Sequence, residues 1–228
     1  MKVTAIVPAA GLGVRLKSNI AKPLVKINDE AIILQTLRKL SGHPLINDII
    51  VVFNSQDIPE LKDLIRQKQI RKIKEVVAGG TFRKDSVKNG LKNVSGDTDF
   101  VLIHDGVRPF IEKKIISDVI EAAFKDGAAI VGIPLKSTIK KIKTKVLEVD
   151  STLNRNEVWE IQTPQVFKKD LIMRAYDATD VTDVPDDAFL VERLGQRIVL
   201  VEGSPLNIKI TTPDDIILAK AINSLSKE

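Results

Sequence analysis

The 228 residues contain no cysteine, only two histidines and few aromatics, and each shortage removes a class of chemistry. Without cysteine there is no disulfide framework, no thiolate nucleophile and no cysteine-held zinc or iron–sulfur site. His43 and His104 are too few for a histidine-rich metal site. Aromatics at 4% leave few platforms on which single-stranded nucleic acid stacks. No apolar run approaches the roughly 20 residues of a bilayer span. The opening stretch, Met1 to Pro8, holds too short an apolar run for a secretory core of about 7–15 residues. The expectation is a cytoplasmic protein with neither membrane nor nucleic acid as partner.

What is present suits a packed globule. Hydrophobic residues at 43% against 29% charged supply a sizeable core. The length fits one domain over residues 1–228, a little above the roughly 100–200 residues usual for a domain. Lys and Arg number 35 against 30 acids, a formal +5. An excess so small says little until its location is known.

Short β-branched runs alternate with amphipathic stretches. Val3–Val7, Asp48–Phe53, Ile73–Val77, Phe100–Ile103 and Ala128–Ile133 are apolar on both faces and predict buried strands. Ile32, Leu34, Leu37 and Leu40 fall at helical spacing. Asp57 with Glu60 three residues later predicts a capping box ahead of Leu61, Leu64 and Ile65. Ile115, Ile116, Val119, Ile120 and Ala123 predict another helix, stopped by Gly127. Thr212-Pro213-Asp214-Asp215 predicts the start of a last one. Such alternation implies an α/β fold, a mostly parallel sheet covered on both faces. Residues 136–149 break the pattern. They alternate polar and apolar, carry five lysines, and predict a β-hairpin extending from the main sheet. Those lysines either guard an edge strand or belong to an arm that reaches another subunit.

Three loops directly after predicted strands gather the cations. Pro8-Ala9-Ala10-Gly11-Leu12-Gly13-Val14-Arg15 is followed by Lys22, and its small residues let backbone N–H groups approach an anion. It has neither the Walker A order nor, with Leu16 in place, the third glycine of a dinucleotide fingerprint. Gly79-Gly80-Thr81-Phe82-Arg83-Lys84-Asp85-Ser86 places Arg83 and Ser86 on one face of a helix that starts nearby, and paired glycines admit unusual backbone angles and close approach. His104-Asp105-Gly106-Val107-Arg108 delivers an acid to a strand's C-terminal end, where open α/β sheets bind ligands. Asp105 is there as a magnesium ligand sharing the ion with substrate phosphates, as a cap on the turn, or as a partner of Arg108. His104 is read as a structural hydrogen bonder. Four cations and one acid at strand ends suit phosphoryl or nucleotidyl transfer, which needs no covalent nucleophile.

The ordered set resembles the 2-C-methyl-D-erythritol 4-phosphate cytidylyltransferase family from about Val3 to Leu225. Its carriers are Ala9-Ala10-Gly11-Leu12-Gly13-x-Arg15 with Lys22, Gly79-Gly80-x-x-Arg83-x-Asp85-Ser86, His104-Asp105-Gly106-Val107-Arg108-Pro109 and Thr138. They continue with Asn154-Arg155-Asn156, Gln162-Thr163-Pro164-Gln165, Asp186-Asp187-Ala188 and Asn207-Ile208-Lys209-Ile210-Thr211. The resemblance implies a three-layer, Rossmann-like nucleotidyltransferase fold with a twisted sheet and an extended β-arm at about 136–158. It implies CTP and a phosphorylated polyol as substrates, Mg²⁺ as cofactor, and a homodimer formed through the arm. Arg15, Lys22, Arg155 and Lys209 would be catalytic. Pro8, Ala9, Ala10, Gly11, Gly79, Gly80, Arg83, Ser86, Asp105 and Gly106 would surround the nucleotide. Asp105, Arg108, Thr138, Arg155, Thr163 and Lys209 would contact the polyol phosphate, Asp105 also holding the metal. Thr138 and Arg155 would act in the partner's site. Ribitol 5-phosphate as acceptor is the alternative, and a sugar-1-phosphate nucleotidyltransferase a more distant one.

Overall fold

The computed structural model describes residues 1–11, 21–178 and 184–225. Arg15 and the end of its glycine-containing loop lie outside the described residues. In chain order the elements are β1 (Val3–Pro8), β2 (Lys26–Ile27), β3 (Glu30–Ala31), α1 (Ile32–Ser41), β4 (Asp48–Phe53), α2 (Ile58–Gln67) and β5 (Ile73–Ala78). Then come α3 (Arg83–Leu91), β6 (Phe100–Ile103), α4 (Lys113–Asp126), β7 (Ala128–Pro134), β8 (Lys140–Lys143) and β9 (Glu148–Thr152). The chain ends with β10 (Trp159–Lys168), α5 (Lys169–Asp177), α6 (Asp187–Glu192), β11 (Val199–Glu202) and α7 (Pro213–Leu225).

Seven strands form the central sheet in the order β11-β7-β10-β6-β1-β4-β5. All pairs are parallel except those made by β10, which runs antiparallel to β6 and β7. Alternate strand residues feed opposite faces. Val3, Ala5 and Val7 join a core with Leu34 and Leu37 of α1, Leu61 of α2, and Ile116 and Val119 of α4. Ile6, Val101 and Ile103 face the other way, onto Val87 and Leu91 of α3, Leu171 and Tyr176 of α5, and Leu190 and Val191 of α6. Helices on both faces of one sheet make the three layers that alternation implies. No described helix is long and apolar enough to cross a membrane.

The predicted strands and helices are present with bounds shifted by a residue or two. Four local expectations change. The box at Asp57 does not form: the residue ends a 3₁₀ turn, and its carboxylate accepts from Asn54 Nδ2 at 2.8 Å rather than capping α2. β5 is a half-exposed strand at the edge of the sheet as described. The hairpin lies a few residues later than expected, as β8 and β9, and among the described residues it pairs with itself rather than joining the central sheet, which leaves its lysines on edge strands. At Gly79 and Gly80 the backbone φ is not positive, and close approach alone explains the pair. Gly127 does end α4 in the left-handed region, at φ 86°, and Asp215 accepts from the Thr211 and Thr212 N–H groups at the head of α7.

Candidate active site

The sheet reverses its strand order beside β1, which sends the chain to β4 and β5 on one side and to β6 on the other. The crevice beyond the carboxyl ends at such a point is where α/β sheets bind ligands. Here the loops prolong the ladder past the strands. Ala9 N–H donates to Val52 O at 2.7 Å, Gly79 N–H to Phe53 O at 2.8 Å, His104 N–H to Ile6 O at 3.0 Å and Gly106 N–H to Pro8 O at 3.1 Å. The four loop starts are therefore fixed to one another by backbone bonds before any side chain contributes.

Over these ends lies a cleft of about 690 Å³, within the range of roughly 300–1,000 Å³ usual for small-molecule sites. Pro8, Ala9, Ala10, Gly11, Lys22, Gly79, Gly80, Arg83, Ser86, Asp105 and Lys209 all line it. Glycine is required in its wall. A Cβ on Gly79 would stand 2.2 Å from Ala10 Cβ, and one on Gly80 2.2 Å from Asp85 Cβ. Gly106 is tight for the same reason, with Ala9 Cβ 2.8 Å from where its Cβ would be. Ser86 works on the wall itself, its Oγ accepting the Gly80 N–H at 3.1 Å. Asn54, Ser55, Pro23, Thr81, Phe82 and Val107 also line the cleft and were missed. Asn54 and Ser55 had a signal, since they follow a predicted strand as the other three loops do.

Asp105 is the one acid among the described lining residues, and cations surround it. Arg83 Nε lies 3.2 Å from its Oδ1, Lys209 Nζ 2.8 Å from its Oδ2, and Arg108 Nε 3.6 Å from the same oxygen. Burial would raise its pKa, but the three cations outweigh burial and hold the carboxyl well below the usual carboxylate range. Arg108 does not line the cleft. It is buried behind Asp105, donates from Nη1 to Asn207 O at 2.8 Å, and has its pKa lowered by burial.

A buried relay fixes the backbone of Asp105. His104 is fully buried, which pushes its pKa down to about 4 and keeps the ring neutral. Its Nε2 meets the Arg108 carbonyl at 3.1 Å, which can only accept, so Nε2 carries the proton. Nδ1 then accepts from Thr163 Oγ1 at 3.1 Å, and Thr163 Oγ1 in turn accepts the Asp105 N–H at 3.1 Å. His104 is the structural group expected. Thr163 gives its only hydroxyl proton to that ring and, being buried, does not line the cleft.

Thr138 and Arg155 stand apart on the exposed arm, Arg155 donating to Lys136 O at 3.2 Å, and neither lines this cleft. Among the described residues no group of three or more His, Asp or Glu is placed to hold a metal. Asp105 alone suits Mg²⁺ only where phosphate oxygens supply other ligands, the usual arrangement for that ion.

The family model for IspD, 2-C-methyl-D-erythritol 4-phosphate cytidylyltransferase, matches residues 3–224. The chain belongs to this cytidylyltransferase family. A family enzyme from Syntrophus aciditrophicus (strain SB) is 46% identical over 100% of this chain and 97% of its own length. Another, from Alkaliphilus metalliredigens (strain QYMF), is 41% identical over 100% and 95%. The 4-diphosphocytidyl-2C-methyl-D-erythritol synthase structure from Anaerococcus prevotii DSM 20548 superposes with a TM-score of 0.85 at 34% identity, covering 98% of each chain. The cytidylyltransferase structure from Thermus thermophilus gives 0.79 at 28%, covering 98% of this chain and 100% of that one.

Proposed function

We propose that this cleft transfers the cytidylyl group of CTP to 2-C-methyl-D-erythritol 4-phosphate, releasing pyrophosphate and 4-diphosphocytidyl-2-C-methyl-D-erythritol. The observation that carries the reading is a cleft at the carboxyl ends of β1 and β4–β6 in which Arg83 and Lys209 pair with Asp105 and Lys22 lines the same wall, in a chain of this family. The acceptor phosphate is already an anion. Its oxygen forms a bond to the α-phosphorus of CTP, and the bond from that phosphorus to the bridging oxygen breaks, its electron pair leaving with pyrophosphate. No proton need be removed from the nucleophile, which fits a cleft whose only nearby histidine is buried and neutral. Such transfers rest on positioning and charge neutralisation.

In this reading Lys22 and Arg15 hold the triphosphate and take up charge as it passes to the leaving group. Lys209 orients the attacking phosphate, while the walls at Pro8–Gly11 and Gly79–Gly80, with Arg83, Ser86 and Gly106, enclose the nucleotide. Asp105 would hold Mg²⁺, which would supply neutralising charge to the phosphates. Thr163 and Arg108 shape the acceptor side by fixing Asp105. A cytoplasmic homodimer completes the reading, its arm carrying Thr138 and Arg155 to the partner's cleft. Exposed apolar residues on the arm, Val146, Leu147 and Val149, support a partner surface there.

The test is pyrophosphate release with Mg²⁺, each of the four ribonucleoside triphosphates in turn, and methylerythritol phosphate. Release with CTP well above the other three supports the reading. Equal release with UTP or ATP, or none with CTP, overturns it.

A further inference from the structure

The motif Asp186-Asp187-Ala188 has no part in the transfer as described above. Asp186 is used locally: its Oδ1 accepts from Phe189 N–H at 2.9 Å and its Oδ2 from Gln165 Nε2 at 2.8 Å, capping α6. Asp187, the first residue of α6, is fully buried. Its Oδ2 accepts from Arg83 Nη2 at 2.7 Å and its Oδ1 from the Tyr176 hydroxyl at 2.5 Å. Tyr176 is itself buried on α5.

A carboxylate at this depth is costly unless paired and hydrogen-bonded, and both conditions are met. The same guanidinium donates from Nε to Asp105 Oδ1, and the second oxygen of Asp105 faces Lys209. Tyr176, Asp187, Arg83, Asp105 and Lys209 thus form one continuous run from the core to the cleft, with alternating charge along its last four members. A planar guanidinium held by one acid at Nε and another at Nη2 has a fixed plane, which a lysine would not. Arg83 lines the cleft and its side chain is a quarter exposed, so its buried partner restrains a cleft residue from behind.

We propose that Asp187, braced by Tyr176, is a positioning residue for the transfer reaction: it fixes Arg83 so that Asp105 is held toward Lys209 and the substrates. Losing it releases Nη2 of Arg83, so that the guanidinium can swing onto phosphate or collapse on Asp105. The proposal rests on the cytidylyltransferase reading of the cleft.

The test measures kcat and the CTP KM of D187N, Y176F, R83K and the D187N/R83K double variant, with turnover expressed per CTP-binding equivalent from calorimetry. D187N is expected to lower kcat about 10- to 100-fold, the usual scale for groups that orient a site residue, while the CTP KM changes less than about threefold. The double variant is expected to be little worse than R83K alone, since the two substitutions break one linkage. Y176F, which leaves the buried ion pair in place, is expected to show a smaller loss of kcat and keeps the question open to measurement where D187N does not fold. A readout independent of turnover is the Arg83 Nε–H signal in ¹⁵N spectra, protected in the wild type and expected to lose protection in D187N, or in part in Y176F. Unchanged kcat in the variants, losses that add to that of R83K, or an undisturbed Arg83 signal would overturn the proposal. A wild type inactive with CTP and methylerythritol phosphate, but with the expected Arg83 behaviour, would sink the functional reading and leave standing only the restraint of Arg83 by Asp187.

Discussion

Lys209 Nζ sits 2.8 Å from Asp105 Oδ2, which makes the acid and the cation expected at the reacting phosphate a single unit. The two partners are not equivalent. Asp105 is buried and holds two further cations, whereas the Lys209 side chain is 38% exposed. Asp105→Asn leaves buried cations without their acid, a change that costs about 3–5 kcal/mol at fully buried pairs. The low end is expected here, because Arg83 keeps Asp187. Lys209→Ala leaves Asp105 facing two arginines and costs little stability. Both are expected to lose turnover, by about 10²–10³ for a preorganised charge. Urea unfolding and pyrophosphate release on the two variants check the contrast.

Lys22→Ala and Arg15→Ala are expected to reduce turnover by about 10²–10³ on the same scale while the far-ultraviolet circular dichroism stays that of the wild type. Near-normal pyrophosphate release in either variant contradicts the assigned role.

Gly79→Ala is expected to fold with a lower melting temperature and a raised CTP KM. The new methyl would meet Ala10 Cβ at 2.2 Å, and overpacking of this kind costs about 1–3 kcal/mol. Because Ala10 lines the cleft, the displacement reaches the nucleotide wall. A variant with wild-type melting and KM would show that the wall is softer than its spacing implies.

Stability is expected to fall as the pH drops from about 6.5 to about 4. The folded pKa of His104 is about 4, depressed by burial from the 6.5 of a free ring, so in that window the unfolded chain binds a proton that the folded chain refuses. The full shift corresponds to about 3 kcal/mol, lost as pH falls and present above pH 6.5. His43 is also lowered by burial and contributes with the same sign. His104→Gln, less stable at pH 7, is expected to show a shallower slope across the window. Equal slopes for the two proteins would contradict a buried, neutral His104.

The strands β1 and β4–β7 were legible as short β-branched runs, and the helices α1, α2 and α4 because their apolar residues repeat at helical spacing; β11, short and half-exposed, was not. β10 escaped because Gln162, Thr163, Pro164 and Gln165 interrupt its apolar run, where its register with β7 shifts. Those residues are polar because they hold the site: Thr163 fixes Asp105, and Gln162 accepts from Asn207 Nδ2 at 3.1 Å. The three strand-end loops were readable as cation carriers. Asp187 behind Arg83 was not, since 104 residues separate the pair and only the fold brings them to 2.7 Å. Arg108 reads from sequence as one more cleft cation, yet burial places it behind Asp105.

In the proposed homodimer the arm is expected to act across subunits. Arg155→Ala and Lys22→Ala, each inactive alone, are expected to regain turnover when mixed and allowed to exchange subunits, because one cleft of the mixed dimer has both groups. Inactivity after proven exchange would place Arg155 in its own chain's site or outside the reaction.

The central claim is tested most directly by ³¹P NMR of the protein with CTP, Mg²⁺ and 2-C-methyl-D-erythritol 4-phosphate. The account predicts that the monophosphate signal disappears as pyrophosphate and one new pair of coupled diphosphate signals grow in equal amount. A monophosphate signal that persists, in a sample that consumes ribitol 5-phosphate instead, would contradict it.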